Sequence, residues 1–424
     1  VKDLIPIFNQ HPNWPSIKKL VRTLNKSNAM AYLAGGCVRD ALLNRVPKDF
    51  DIATSAKPEE IVKLFPNSNK QGKAFGVVVV PCEKGNIEVA TFRKDGPYKD
   101  GRRPEYVEFL SDKEDAFRRD FTINALFYDL KTNKIIDYVD GIEDLKNQVI
   151  RTVGNPEDRF KEDYLRVLRA LRFSIQLNFT LDPNTEKILF KYKTKMLETI
   201  SKDRIYVECF KTLQCRQFEK AMRVFKKLGL LKKLWERIEL LNWDFCKKFW
   251  NHPVPDELLE DKSFIWALVF YPLLMQEAEY ILRNSDNYPL GTHLKEWKFP
   301  IKVIKSIKEL FYSSCVILDI KKVSFGKKLR ILDSALSEGT VFLTKKYLEC
   351  KKDEITIINN LEKEFNIRAY KGRLPAPLVD GHHLKDFGIP ENKQMGDMLD
   401  KLYDIQIEKQ ITSRNHLLKW VGEI

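Results

Sequence analysis

The chain has 424 residues, 43% of them hydrophobic, enough for a sizeable core and more than one domain. Its 31% of charged residues sum to a net charge of +14, a balance that favours a polyanionic partner because each neutralised phosphate releases counterions, although general lysine richness gives the same number. No run approaches the roughly 18 apolar residues of a membrane span, no signal-peptide layout opens the chain, and none of the seven cysteines forms a Cys-x-x-Cys pair, so a membrane partner, a secreted disulfide framework and structural zinc are not expected and the compartment reads as reducing cytosol.

In chain order, a helix is predicted over residues 14–24, then a short apolar strand, Ala31–Ala34, that runs into Gly35 and Gly36. Helical periodicity resumes over 38–43. Strand-like runs follow at 77–80, 87–92, 107–109 and 135–139, with helical segments around 58–65 and 121–128. Residues 94–103 (KDGPYKDGRR) carry two Asp-Gly pairs and read as a mobile polar loop. After about residue 155 the strand pattern stops. Phe160, Tyr164, Val167, Leu168 and Leu171 recur at the spacing of one helix face. Helical periodicity then continues to the end, broken at Pro253, Pro255, Pro289, Pro375 and Pro377. The expected fold class is an α+β N-terminal head, a small mixed sheet with helices, followed by an all-helical remainder.

The densest chemical signal is Gly35-Gly36-Cys37-Val38-Arg39-Asp40 followed by Asp49-Phe50-Asp51. Glycines between a strand and a helix let backbone N–H groups close on an anion, and Arg39 adds a permanent forked cation suited to phosphate oxygens. Asp49 and Asp51, two apart in a strand, point to one face. Their mutual repulsion is relieved by a cation, and hard oxygen ligands suit Mg²⁺, which accepts substrate phosphates as further ligands. Glu88, on the opposite face from its neighbours Ile87 and Val89, is a candidate third carboxylate for a two-metal site.

Gly-Gly-x-Val-Arg-Asp followed by Asp-x-Asp-x-Ala-Thr resembles the nucleotidyltransferase branch that contains the class II CCA-adding enzymes and bacterial poly(A) polymerases. Further motifs extend the likeness from about residue 31 to 175, and more weakly over 200–231 and 375–418. Arg118-Arg119-Asp120-Phe121-Thr122-Ile123-Asn124-Ala125 resembles the ribose-sensing motif of that family. Asp140-Gly141-x-x-Asp144-Leu145, ending at Arg151, is similar to its hinge motif, and Glu162-Asp163-x-x-Arg166 to its nucleobase-reading motif. The resemblance implies a nucleotidyltransferase head at 1–150, a base-reading neck at 151–235, a body at 236–355 and a tRNA-binding tail at 356–424. It also implies Mg²⁺ as cofactor, CTP and ATP as substrates and tRNA as partner. Asp120 and Asn124 become candidates for the ribose 2′-hydroxyl and Arg119 for the triphosphate. The 94–103 segment resembles the family loop that helps switch specificity from C to A.

The residues themselves agree on base reading. Asp163 and Arg166, three apart, are neighbours on a helix surface and can project together into a groove. A carboxylate accepts from an exocyclic amine and a guanidinium donates to a ring acceptor, a pattern that cytosine and adenine share and that guanine and uracil lack. Three activities stay open at this stage: CCA addition, A-only addition and poly(A) synthesis. A non-catalytic RNA-binding module is the alternative from another class. His382 and His383 read as structural, because adjacent histidines point apart, and the sequence is silent on oligomeric state.

Overall fold

A computed structural model describes residues 3–69, 72–96, 105–234, 242–283 and 290–424. It divides into two compact units, Val1–Thr212 and Leu213–Ile424.

The first unit is built on a six-stranded mixed sheet. Its strands are β1 (Ala31–Ala34), β2 (Asp51–Thr54), β3 (Val77–Cys82), β4 (Gly85–Thr91), β5 (Arg93–Asp95), β6 (Val107–Phe109), β7 (Phe127–Asp129) and β8 (Lys134–Ile136), of which β5 and β6 form a separate two-stranded ribbon. The spatial order of the large sheet is β3-β4-β2-β1-β7-β8. The pairings are antiparallel except that of β2 with β4, which sets Asp51 directly beside Glu88. In a parallel pair, register neighbours lie on one face, so the ladder itself aligns these two carboxylates.

Helices α1 (Ile5–Phe8), α2 (Trp14–Lys26), α3 (Gly36–Leu42) and α4 (Pro58–Leu64) belong to the head, with α5 (Asp112–Phe117) and α6 (Gly141–Lys146) further along. Trp14, Ile17, Leu20, Val21 and Leu24 recur at helical spacing and are all buried, so the apolar stripe of α2 is what fixes it on the sheet. Four helices complete the unit: α7 (Pro156–Glu162), α8 (Arg166–Leu177), α9 (Pro183–Thr199) and α10 (Lys202–Leu213).

Two expectations are corrected. Residues 121–128 are not a helix. A single 3₁₀ turn, Thr122–Asn124, is followed by β7, whose Phe127 and Tyr128 pair with Ala34 and Leu33 on one side and Ile136 and Ile135 on the other. Fully buried apolar runs fit either period, and here long-range strand pairing decides. Residues 160–171 are not one helix either. Asp163 leaves α7 in an extended conformation, and its Oδ1 accepts from the Leu165 N–H at 3.0 Å, a local turn that starts α8 afresh. Of the 94–103 loop, Lys94 and Asp95 lie in β5, and residues 97–104 lie outside the described residues.

The second unit is helical. Lys262–Gln276 is buried along residues 263–275 with almost no polar face, which marks it as the central helix, and Trp243–Asn251, Ile301–Ile317 and Ser337–Lys351 pack around it. Val379, Leu384, Met395, Leu402, Ile411 and Leu417 form a separate C-terminal core. His383 closes a capping box there, its Nδ1 2.6 Å from Asp380 Oδ1. Among the described residues no helix is long and apolar enough to cross a membrane.

Candidate active site

Asp49 and Asp51 owe their placement to the residue between them. Phe50 is 5% exposed and packs against Phe8 and Trp14, with ring centroids 5.5 and 5.9 Å away. Burying that ring turns both neighbours the other way. Asp49 precedes β2 in a bend rather than lying in the strand, yet the alternation survives, and both carboxylates open into a cleft of about 750 Å³. Glu88 lines the same cleft.

Asp51 reaches solvent through the cleft while being surrounded by protein, and its pKa is raised to about 6. Burial is the main cause, Glu88 and Asp49 add to it, and Arg119 opposes it. Carboxylates crowded in this way repel one another more than Arg119 offsets, and all-oxygen donors at the end of a strand suit a divalent cation that keeps water and phosphate ligands. The residues therefore fit a metal shared with substrate, although among the described residues no group of three such side chains encloses an ion unaided. Cys37 beside them is no nucleophile: its buried thiol is pushed up to about 12 and donates to the Ala34 carbonyl at 3.3 Å.

Gly35 adopts φ +70°, and a Cβ there would stand 2.9 Å from Arg119 Nη1 and 3.3 Å from the Asn124 carbonyl oxygen. Its own N–H donates to the Leu126 carbonyl at 2.9 Å, so what Gly35 contributes is left-handed backbone and room for Arg119. Gly36 opens α3. Arg39, 5% exposed, donates to Asn124 Oδ1 at 2.6 Å and to Asp40 Oδ1 at 2.8 Å.

Asp115, buried on α5, orients two more arginines. Its Oδ1 accepts from Arg118 at 2.6 and 2.9 Å and its Oδ2 from Arg119 at 3.0 and 3.1 Å. Burial works to raise the Asp115 pKa, but Arg119 and Arg118 hold it below the usual carboxylate range. Asp120 is held down as well, at about 2: burial opposes ionisation, while Arg169 and Arg166 favour it, and Arg169 and Asn124 donate hydrogen bonds.

Asp163 and Arg166 both line the cleft but are not paired as neighbours on one helix. Asp163 Oδ2 accepts from Arg204 on α10 at 2.6 Å, and Arg166 Nη1 donates to Glu162 at 2.5 Å and to the Arg159 carbonyl at 2.9 Å. Each polar head is thus aimed by a separate partner. The eleven residues expected from sequence to hold metal or nucleotide, Gly35, Gly36, Arg39, Asp49, Asp51, Glu88, Arg119, Asp120, Asn124, Asp163 and Arg166, all line this one cleft.

Sequence reasoning missed the continuation of α8. Arg169, Arg172, Phe173 and Gln176 also line the cleft. The Arg39, Arg169 and Arg172 guanidiniums stand 5.2, 5.4 and 4.1 Å from the Phe173 ring centre. Arg172 is aimed by buried Glu208, 2.5 Å away on α10. The available signal was the spacing of three to four residues onward from Arg166, which places them on one face.

The model of the poly(A) polymerase head domain matches residues 31–151, and that of the probable RNA- and SrmB-binding site of polymerase A matches residues 178–240. A CCA-adding enzyme of Lactobacillus johnsonii is 44% identical over 407 residues, covering 93% of this chain and 93% of that protein. One of Enterococcus faecalis is 40% identical over 300 residues, 69% of this chain and 68% of that protein. The crystal structure of the Bacillus stearothermophilus CCA-adding enzyme in complex with CTP superposes with a TM-score of 0.74 at 26% identity, covering 98% of each chain. With this likeness running through head and helical remainder alike, the chain belongs to the family of CCA-adding enzymes.

Proposed function

We propose that the chain adds CCA to the 3′ end of tRNA from CTP and ATP, without a nucleic-acid template and with release of pyrophosphate, in the cytosol. The observation that carries this reading is the union in one cleft of register-matched Asp51 and Glu88 with separately aimed Asp163 and Arg166. We assign the catalytic head to residues 1–150, the base-reading neck to 151–235, the body to 236–355 and a tRNA-binding tail to 356–424.

Asp49 and Asp51, with Glu88 beside them, would hold Mg²⁺. Bound there, it would supply Lewis acidity to a 3′-hydroxyl and to the phosphates of the incoming nucleotide. The remaining work falls to the chain's own side chains. Arg39 and Arg119, pre-aimed by Asn124 and Asp115, meet the triphosphate at the Gly35-Gly36 turn. Asp120 and Asn124 offer polar groups to the 2′-hydroxyl that distinguishes ribose from deoxyribose. Asp163 uses part of its acceptor capacity on Leu165 and Arg204 and has lone pairs left for the exocyclic amine of cytosine or adenine. Arg166 donates to the ring acceptor beside that amine. A guanine or uracil would set a carbonyl against the carboxylate, an unpaired arrangement costing about 1–3 kcal/mol per lost bond.

The test uses three tRNAs, one lacking the CCA end, one ending in CC and one complete, each incubated with single labelled nucleotides. CTP joining the first and ATP the second, with none added to the third, is the expected result. Incorporation only onto the CC-ended tRNA would reassign the chain to A-only addition, and runs of A on the complete tRNA would reassign it to poly(A) synthesis. Unchanged incorporation by the Asp49→Ala, Asp51→Ala protein would end the metal assignment, and tRNA binding by the unsubstituted chain with no incorporation onto any of the three would leave a non-catalytic RNA-binding module.

A further inference from the structure

The segment between α1 and α2 lies outside the residues matched by the head-domain model, yet it touches both carboxylate-bearing stretches of the site. The His11 ring holds one of them. Its Nδ1 accepts from the Asn13 backbone N–H at 3.2 Å, which leaves the proton on Nε2, and Nε2 donates to the Lys48 carbonyl at 3.3 Å. Lys48 immediately precedes Asp49 and itself lines the cleft. The same ring stands edge-on to Phe50, centroids 5.1 Å apart.

Asn13 holds the other stretch. Its side-chain amide donates to the Lys84 carbonyl at 2.7 Å, in the turn between β3 and β4, from which β4 runs to Glu88. Asn13 is 8% exposed, so this bond is shielded from water. The turn is rigid in its own right, since the Trp14 N–H donates to the His11 carbonyl at 3.0 Å and Trp14 is buried against Phe8 and Phe50.

We propose that the His11–Asn13 turn is a clamp that fixes Asp49 relative to the Asp51–Glu88 pair, with His11 and Asn13 as positioning residues. The inference rests on the reading of those carboxylates as the metal site. It follows from two facts of chain geometry. Asp49 lies outside the β2 ladder, so hydrogen bonds between strands do not fix it. Glu88 is held by register between Asp51 on one side and Val79 on the other, and the two-residue turn that launches its strand gives its Lys84 carbonyl to Asn13 from outside the sheet. One rigid turn thus ties the stretch that carries Asp49 to the hairpin that carries Glu88. A displacement near 1 Å is enough to cost a two-metal reaction about a hundredfold in rate.

The experiment uses the full chain with His11→Leu combined with Asn13→Ala, and His11→Gln as the conservative variant, since the glutamine amide can still donate to Lys48. Both positions lie at the edge of the aromatic core, and circular dichroism and melting check the fold. Mn²⁺ binding is titrated by electron paramagnetic resonance without nucleotide, and kcat and KM for CTP are measured on tRNA lacking CCA. The expected result is that Mn²⁺ affinity and kcat each fall about tenfold or more while KM for CTP moves less than about twofold, with His11→Gln recovering most of the loss. Unchanged Mn²⁺ affinity and kcat in the folded double variant overturn the clamp, whatever its melting temperature. Should the double variant not fold, Asn13→Ala alone is read by the same two criteria. An Asp51→Ala control separates the two levels: activity there ends the site reading itself, whereas a dead control beside a fully active clamp variant ends only the clamp.

Discussion

Asp163 and Arg204 lie 41 residues apart in sequence and meet in a 2.6 Å charge-assisted hydrogen bond at the edge of the cleft that Asp49, Asp51 and Glu88 line. The side chains are 17% and 20% exposed, so the contact is largely protected from water. Asp163 stands in the break between α7 and α8, where no helix fixes its rotamer, and Arg204 supplies the missing constraint. Arg204→Met is therefore expected to loosen nucleotide choice. Misincorporation of UTP and GTP relative to CTP should rise about tenfold, with tRNA binding unchanged and Arg204→Lys partly restoring selection. Single-nucleotide incorporation on tRNA lacking CCA reads this directly, and unaltered selection would show that Asp163 needs no external aim.

Asp115 makes a complementary prediction about the triphosphate. Its two oxygens each hold one arginine, and its ionised form is favoured by them. Asp115→Asn keeps the shape but can no longer accept from both guanidiniums with full charge. KM for CTP and ATP should rise together, by about fivefold to twentyfold, equivalent to roughly 1–2 kcal/mol of binding, without a change in the C-to-A ratio. A change in base preference would instead tie α5 to selection.

How much of this was legible beforehand varies with the physics of each element. Ala31–Ala34 was readable because a short apolar run ends on a glycine pair, and the strand stops there. Phe127–Asp129 was not. The run from Phe121 to Tyr128 is buried throughout, so it has no exposed face to reveal a period, and what makes its end a strand is pairing with Leu33 and Ala34, about 90 residues away. The neck failed differently. The 160–171 periodicity was real, since Phe160, Val167, Leu168 and Leu171 are all buried, but periodicity cannot register a side chain that bonds its own backbone and restarts the helix. The candidate site residues stand out as local motifs, and the fold gathers them into one cleft. Their partners Arg204, Glu208 and Arg169 do not stand out, because in sequence they are ordinary charged positions on helices.

The Gly35 position separates conformational from chemical demands. Alanine there is strained twice, by φ +70° and by the 2.9 Å approach of its Cβ to Arg119 Nη1. The backbone strain costs about 1–2 kcal/mol, and relief of the clash requires Arg119 to move away from the cleft. Gly35→Ala should fold, melt a few degrees lower, and lose at least about tenfold in kcat/KM for both nucleotides. Gly36→Ala is the control: a Cβ there meets Arg39 Nη2 only at 3.7 Å, an ordinary contact, and the fold should accept it with little loss of stability.

The last prediction concerns the second unit and is one of pH. Lys346 is 2% exposed, lies 5.1 Å from the ring centres of both Phe249 and Phe342, and donates to the His252 carbonyl at 3.3 Å. Burial lowers its pKa from 10.5 to about 8, partly opposed by Cys350 and Glu349. Between pH 8 and 10.5 the folded protein has therefore released a proton that the unfolded chain still holds, so this residue makes stability rise with pH across that window. Below pH 8 the full cost of the buried charge is present. The shift corresponds to about 3 kcal/mol as an upper bound, part of which the two rings return as cation–π attraction. Lys346→Met removes the titration while its thioether still fills the space between the rings. Urea unfolding of the two proteins at pH 7.5, 9 and 10.5 isolates the effect, because other titrating groups cancel in the difference. The stability of Lys346→Met relative to the unsubstituted chain should fall by about 2–3 kcal/mol over that range. A difference that stays flat would mean that Lys346 keeps an ordinary pKa, reaching water by a motion that the packed helices around Phe249 and Phe342 do not display.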